Sequence, residues 1–345
     1  MPNFNITDGL TAYRNSSWLK SLQYEFLSDK KPAGCSRCWS DEEVGIESKR
    51  QRDYRLFTDH LDNLSLKQKD FSIVAVAFNN LCNLACRICG PWASSSWVTE
   101  EKKIDPNTTA TVFDWHTNPA HIDDLYEYSK NAKVIHIIGG EPFLTSFKEH
   151  LVYLNKFIDA NNSNDISLHY TTNGTIFPDE KYINVWKKFK QVEIQISIDD
   201  TGRRFEYNRW PAKWNKVYAN IKSFQQLEKE NPTIGLSISY TVSAFTIFYA
   251  GDFAEWCEQE SLPQPWFGIV SLKPNYHPAV YNDVTKKIIK DKLLSSKYDN
   301  VRQLCNYLDL EVGNFDDFVK EVKFLDNIRK QDFSLTFPEL SINIQ

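Results

Sequence analysis

The chain alternates short apolar runs of strand length with longer segments of helical period. Apolar runs of this length indicate strands buried in a parallel sheet, and helical patterns such as Phe147–Ala160 and Trp214–Glu230 separate them. Strands that alternate with helices predict βαβ units. The six strand-length runs are Phe71–Phe78, Val134–Ile138, Ile166–Tyr170, Val192–Ile198, Ile234–Val242 and Trp266–Leu272.

Six such units are fewer than a complete eight-stranded barrel requires. We therefore predict an α/β fold, a partial (β/α)6 barrel similar to part of a TIM barrel. In open or closed α/β folds of this kind, functional residues lie at the carboxyl ends of the strands. The residues that directly follow each run are the first candidates for a site.

The regions on either side of this core have different patterns. Residues 1–68 contain an amphipathic helical pattern around Trp18–Phe26, a break at Pro32–Gly34 and then a charged helical pattern. Residues 276–345 are mostly helical, and Asn314 has the position of a helix N-cap. We predict three parts: an N-terminal segment (1–68), a barrel core (69–275) and a helical C-terminal extension (276–345).

Composition excludes several classes of protein. The 345 residues are 41% hydrophobic, which is enough to bury a core and excludes disorder of the whole chain. A net charge of -5 gives no overall basic character, so we expect no nucleic-acid partner. No apolar run approaches the roughly 20 residues of a membrane span. The N-terminus lacks the pattern of a secretory signal, and we expect a cytoplasmic protein without a membrane partner.

Three of the seven cysteines follow the first predicted strand in the spacing C-x3-C-x2-C: Cys82, Cys86 and Cys89, here called the thiol triad. Clustered thiols in a reducing compartment more often bind metal than form disulfides. A tetrahedral zinc ion or an iron–sulfur cube needs four ligands. Three protein ligands leave one position open, which is typical of a reactive site; a zinc knuckle with a distant fourth ligand is the structural alternative.

The triad and a second motif together resemble the radical SAM superfamily. Gly139-Gly140-Glu141-Pro142 follows the second predicted strand, and the resemblance extends over roughly residues 70–275. It implies a [4Fe–4S] cluster on the thiol triad, with S-adenosylmethionine (SAM) bound to the fourth iron. It further implies an enzyme in which the reduced cluster cleaves SAM to a 5′-deoxyadenosyl radical, which abstracts a hydrogen atom from substrate.

The resemblance also implies which residues bind SAM. The ammonium group of SAM needs acceptors, and its carboxylate suits a guanidinium, which donates two parallel hydrogen bonds. By the family pattern, Ser197 and Arg209 contact the carboxylate, Asp199 contacts the ribose, and Asn173 belongs to a Thr-Asn-Gly motif. The expected cofactor-binding residues are Gly139, Gly140, Glu141, Asn173, Ser197, Asp199 and Arg209.

A second cysteine pair, Cys35 and Cys38, lies in the N-terminal segment. Over roughly residues 15–55 this segment resembles the cysteine-containing part of SPASM/twitch radical SAM proteins, which implies an auxiliary iron–sulfur cluster. Two thiolates cannot hold a cube alone, and Cys257 and Cys305 are the candidates for further ligands. A zinc or vestigial C-x2-C site and plain structural thiols remain as alternatives.

The sequence does not identify a substrate. We expect a peptide or protein side chain, in a modification of the kind made on ribosomal peptides, because many enzymes with such N-terminal extensions act on peptides. The same chemistry on a small molecule, such as an amino sugar or a nucleobase precursor, is the second hypothesis. A third, from another class, is a non-catalytic iron–sulfur or zinc redox sensor. The enzyme hypotheses require an electron donor such as flavodoxin or ferredoxin.

Overall fold

The structure is a computed structural model that describes residues 9–43, 45–57, 71–113, 115–144 and 149–343. Six strands form one sheet in which every neighbouring pair is parallel and the spatial order follows the chain. The strands are β1 (Ile73–Ala77), β2 (Val134–Ile138), β3 (Ser167–Thr172), β4 (Gln191–Ser197), β5 (Ile234–Val242) and β6 (Trp266–Ile269). The sheet curls into a half-barrel with helices on its convex side, which confirms the predicted partial barrel.

Helices connect the strands and form both flanking regions. Those before β1 are α1 (Gly9–Asn15), α2 (Ser17–Leu27), α3 (Ser36–Glu43) and α4 (Lys49–Phe57). Those between the strands are α5 (Ser95–Ile104), α6 (Pro119–Ser129), α7 (Glu149–Asp159), α8 (Glu180–Trp186), α9 (Gly202–Asn208), α10 (Trp214–Glu230) and α11 (Ala250–Gln259). Those after β6 are α12 (Asp283–Leu294), α13 (Asp299–Arg302), α14 (Phe315–Arg329) and α15 (Phe333–Thr336).

Several predicted boundaries agree with the structure. β2, β5 and α10 begin and end where the apolar pattern placed them. Asn314 caps α14, since its Oδ1 accepts a hydrogen bond from the N–H of Asp317 at 3.1 Å. The helix predicted over Phe147–Ala160 is α7, and residues 145–148 lie outside the described residues. α2 forms as predicted, but none of its residues is fully buried, and Phe26 is 41% exposed.

The two faces of the sheet differ in polarity, whereas we expected strands buried on both faces. In β4, Val192, Ile194 and Ile196 are buried beneath the helices, and Gln191, Glu193 and Gln195 line the concave side. A complete eight-stranded barrel fills its interior with bulky apolar side chains. The half-barrel is not closed, and its concave side therefore carries polar residues. In β4 every second residue is apolar and buried, and for this reason the sequence suggested a nearly continuous apolar run.

The concave side encloses a cavity of about 380 Å³ that touches both Ile73 on β1 and Trp266 on β6. His136 on β2 lines it, and its Nε2 lies 2.8 Å from Thr171 Oγ1 on β3. Burial lowers the pKa of His136 to about 4, which makes the ring neutral at pH 7. α4 contributes Arg52, whose guanidinium stacks on Trp266 at 4.3 Å. The N-terminal segment therefore packs against the strands rather than standing apart from them.

The C-terminal extension also packs against the barrel. Phe318, Val322 and Leu325 on α14 are buried. The same helix carries Arg329, whose side chain is buried and pairs with Glu100 on α5 at 2.8 Å. Within the described residues, no helix combines the length and the apolar character needed to cross a membrane.

Candidate active site

The thiol triad lies in the loop that leaves the carboxyl end of β1, as the sequence predicted. Cys86 is buried, and Cys82 and Cys89 are half-buried. The loop is held by its neighbours: the indole N–H of Trp97 on α5 donates to the Cys86 carbonyl at 2.7 Å, and the N–H of Arg87 donates to the Asn208 carbonyl at 2.8 Å. The positions of the three thiols are therefore fixed by packing before any cofactor binds.

Burial determines the protonation of these thiols. It raises the pKa of Cys82 to about 12 and also raises the pKa of Cys86 and of Cys89. Such thiols become thiolates only when a positive group, such as an iron core, lies beside them. Among the described residues, no three His, Cys, Asp or Glu side chains converge as the ligands of one metal ion. A cube binds each cysteine through a different iron atom, so three separate thiols on one loop, one buried and two half-buried, fit a cluster.

The Gly139-Gly140-Glu141 segment follows β2 and lies directly against the triad loop. Gly140 has a φ of +52°, and a Cβ at this position would lie 2.0 Å from the Leu81 carbonyl oxygen. The N–H of Glu141 donates to that same oxygen at 2.7 Å. Any side chain at Gly140 would separate the two loops, which explains why glycine is required there.

The carboxylate of Glu141 links β2 to β3. It is fully buried and accepts hydrogen bonds from the N–H of Asn173 at 2.7 Å and from Thr172 Oγ1 at 2.8 Å. The side-chain amide of Asn173 points toward the triad, with Nδ2 3.7 Å from Cys82 Sγ and 3.0 Å from Asn83 Oδ1. The residues that follow three consecutive strands thus meet at one point.

The residues that follow β4 form an ion pair beside the triad. Arg209 and Asp199 are both buried, and the guanidinium lies 2.8 Å from Asp199 Oδ2. Asp199 Oδ1 accepts a hydrogen bond from the N–H of Thr241 at 2.8 Å. The positive charge of Arg209 acts on the Cys86 thiol and opposes the rise in its pKa that burial causes. Arg209 Nε has no hydrogen-bond partner among the described residues. Ser197, the last residue of β4, is half-buried on the concave side.

The comparison of sequence families decides what kind of domain this is. Residues 76–241 match the Radical SAM superfamily, and this segment contains the triad, the Gly-Gly-Glu motif and the Asp199–Arg209 pair. This segment, just under half of the chain, has the sequence of a radical SAM domain. A domain of this superfamily implies an enzyme that uses a [4Fe–4S] cluster and SAM.

Solved structures that are similar to this chain include proteins with bound S-adenosylmethionine. Native anSMEcpe with bound AdoMet is 15% identical, covers 75% of this chain and 62% of its own, and gives a TM-score of 0.43. Streptococcus suis SuiB bound to S-adenosylmethionine is 14% identical, covers 94% of this chain and 64% of its own, and gives a TM-score of 0.39. The chain thus spans less than two thirds of the length of these two proteins. No curated protein matches the chain in sequence.

Other residues around the triad of the radical SAM domain were not identified from the sequence. Arg87, between two triad cysteines, is fully buried and pairs with Asp326 on α14. Lys273 follows β6 and places its ammonium 4.3 Å from the ring of Trp97. Arg87 is a variable position within the triad spacing, Lys273 lies in no motif, and Asp326 is 239 residues from its partner Arg87. Only the fact that Lys273 follows a strand could have drawn attention to it.

The N-terminal cysteine pair lies away from the other two candidate ligands. Cys35 directly precedes α3 and Cys38 lies in its first turn, and the charges that act on the Cys35 thiol come from Cys38 and Arg50. Cys257 is buried within α11, and Cys305 contacts the Lys290 carbonyl at 3.9 Å. Within the described part of the chain, no third cysteine joins the pair.

We expect Glu141 to make the stability of the metal-free protein depend on pH. Burial raises the pKa of Glu141 from 4.5 to about 7, so the folded state retains a proton that the unfolded state releases. Stability from this group is therefore fully present below pH 4.5 and falls as the pH rises to about 7, by roughly 3 kcal/mol at 1.36 kcal/mol per pKa unit.

Urea unfolding at pH 5 and pH 7.5 measures this dependence. Glu141→Gln, which keeps an acceptor but cannot ionise, should show a smaller loss of stability between the two pH values than wild type. Glu127→Gln, on an exposed side chain, is the control and should behave as wild type. Identical pH dependence in wild type and Glu141→Gln would contradict the expected raised pKa.

Proposed function

We propose that this protein is a radical SAM enzyme whose thiol triad holds a [4Fe–4S] cluster and whose substrate is a peptide or protein side chain. The observation that carries the cofactor assignment is the meeting of the triad loop, Glu141 and Asn173 at adjoining strand ends. These residues lie within the segment that matches the superfamily.

The chain's own residues would bind and orient SAM. The Gly140 carbonyl and the Glu141 carboxylate are acceptors for its ammonium, while Arg209 and Ser197 suit its carboxylate and Asp199 the ribose. Arg209 retains an unused donor at Nε for this purpose. When bound, the cluster and SAM would supply an electron and a carbon-centred radical that abstracts a hydrogen atom. Buried side chains around the triad would exclude water from that radical.

The concave side of the half-barrel supports a polar substrate. Gln195, Ser237 and His169 line the cavity with hydrogen-bonding groups, which an apolar ligand would leave unsatisfied at a cost of about 1–3 kcal/mol each. A peptide offers amide donors and acceptors along its length. The outer edges of β1 and β6 pair with no other described strand, which leaves the half-barrel open for a segment of chain to enter.

A small polar molecule is the second candidate for the substrate. The cavity of about 380 Å³ is at the small end of the usual range of small-molecule pockets. Amino sugars and nucleobase precursors carry the same kinds of hydrogen-bonding group as a peptide. Both candidates use the same cofactors and differ only in what enters the half-barrel.

Formation of 5′-deoxyadenosine tests the proposed function. The protein is reconstituted anaerobically with iron and sulfide, mixed with SAM and dithionite, and the product is quantified by chromatography. Cell extract is then added as a source of substrate, with and without protease treatment. Stimulation that protease destroys supports a peptide, and stimulation that survives protease supports a small molecule. A fully loaded protein that neither binds nor cleaves SAM would leave only a metal-binding or sensor role.

We also propose that the N-terminal pair binds metal in the manner of a twitch segment, and that a flavodoxin or ferredoxin donates the electron. What supports the metal site is that Cys35 and Cys38 lie together: the charge of Cys38 acts on the Cys35 thiol, and both cysteines act on Arg50. We expect Cys35→Ala to lower the iron or zinc content of the reconstituted protein without loss of SAM cleavage. Equal metal content in Cys35→Ala and wild type would indicate plain structural thiols.

A further inference from the structure

The charged groups around the thiol triad are almost all paired. Arg209 pairs with Asp199, Arg87 with Asp326, and Arg329 with Glu100. Each of these arginines is buried, and a buried cation requires a counter-charge, because desolvation of an isolated ion is costly.

Lys273, which is half-buried, is the exception. Among the described residues, no carboxylate forms an ion pair with its ammonium, although Nζ is held against two aromatic rings, 4.3 Å from Trp97 and 5.2 Å from Tyr276. The charge of Glu321 acts on Lys273 from a distance, but that carboxylate accepts a hydrogen bond from Asn275 Nδ2 at 2.9 Å. Cation–π contacts of this kind compensate only part of the lost hydration.

The surroundings of Lys273 favour an additional anion beside it. Burial lowers the pKa of Lys273 to about 8, and the positive charges of Arg329 and Arg87 act in the same direction. The ammonium is thus less stable in this position than in water. Within the triad, the negative charge of Cys89 acts in the opposite direction and raises the pKa of Lys273.

Lys273 is also the cation near Cys89 whose charge is not neutralised by an ion pair with a described residue. The Cys89 thiol is affected by two cations, Lys273 and Arg209, and Arg209 is already neutralised by Asp199. The Trp97 ring that contacts the Lys273 ammonium also holds the triad loop, because its indole N–H donates to the Cys86 carbonyl at 2.7 Å. The Trp97 side chain therefore contacts both the Lys273 ammonium and the triad loop.

We propose that Lys273 is the cation that compensates the negative charge of the iron–sulfur cluster on the thiol triad and so makes the cluster easier to reduce. The inference rests on the proposed function, since it requires a cluster at the triad. The reduction potential of an iron–sulfur cluster depends on the net charge around it. A cation beside the cluster stabilises the reduced state, which carries one more negative charge than the oxidised state. Lys273 acts on the cluster from outside its ligand set and is not itself a ligand.

Redox titration of the reconstituted protein tests this inference. Dithionite reduction is followed by electron paramagnetic resonance. SAM is left out, so that the carboxylate of SAM cannot be the anion whose charge Lys273 compensates. We expect Lys273→Met, which keeps the length and apolar packing of the side chain, to load iron as wild type does but to show a more negative midpoint potential. Lys273→Arg keeps the charge and should retain the wild-type potential. Lys292→Met removes a surface lysine that pairs with Asp252 and should also leave the potential unchanged.

Each outcome separates this inference from the proposed function. Full iron loading and an unchanged potential in Lys273→Met would overturn the role of Lys273 alone. Loss of the cluster in Lys273→Met but not in Lys273→Arg would support a need for positive charge at the triad. Loss of the cluster in both variants would mean that Lys273 acts through its shape, which overturns the inference. A wild-type protein that binds no cluster would overturn the proposed function as well.

Discussion

We expect Cys86→Ala to abolish SAM cleavage. Cys86 is the most buried member of the thiol triad, and its loss leaves two protein ligands for a cluster that requires three. The rate of 5′-deoxyadenosine formation should fall by at least about 100-fold, because even mutation of residues behind the metal ligands costs about 10–100-fold. Chromatography of the SAM reaction and iron counts of the reconstituted protein measure the two effects together.

Cys257→Ala is the matched control for this experiment. Cys257 is also fully buried, but it lies within α11. Burial alone raises the pKa of its thiol, and the triad does not contribute. We expect this variant to retain its iron and its activity while losing some stability from the small cavity that it creates. Iron and activity at wild-type levels in Cys86→Ala would contradict the cluster assignment. Equal loss in both variants would point to misfolding instead of ligand removal.

The sequence was sufficient for elements whose pattern is local. Val134–Ile138 and Ile234–Val242 are bounded by polar residues or glycine, so their ends as strands were predictable. The thiol triad and Gly139–Glu141 were recognisable because each motif directly follows a strand, and parallel strands bring their carboxyl ends to one edge of the sheet. Connectivity alone therefore predicted that these motifs would meet.

The sequence was insufficient where a side chain's environment depends on distant parts of the chain. Polar residues such as Glu193 and Gln195 could not be assigned to an open concave face, because their alternation with isoleucine and valine also suits a surface strand. The expectation that Arg209 contacts the carboxylate of SAM could not include its pairing with Asp199. Lys273 belongs to no motif, and its significance comes from the absence of a partner, which only the packed structure can show for the described residues.

The contact between the C-terminal extension and the triad loop leads to the largest expected effect on stability. Arg87 is fully buried, and its guanidinium pairs with Asp326, donates to Gln331 Oε1 at 2.9 Å and stacks on Tyr207 at 3.7 Å. Asp326 in turn accepts from the Tyr207 hydroxyl at 2.7 Å. The triad loop is therefore anchored to α14 through the ion pair between buried Arg87 and half-buried Asp326.

We expect Asp326→Ala to lower the free energy of unfolding of the metal-free protein by about 3–5 kcal/mol, because it leaves the buried charge of Arg87 without a partner. The double variant Arg87→Met, Asp326→Leu removes both charges and should recover most of that loss. Glu127→Ala breaks an exposed pair with Lys130 and should change stability by less than about 1 kcal/mol. Urea unfolding of the variants and wild type measures these differences. A loss in Asp326→Ala no larger than in Glu127→Ala would mean that water compensates Arg87 and that α14 does not anchor the loop. If the double variant recovers stability but not iron binding, the charge pair itself is needed to place the thiol triad for its cluster.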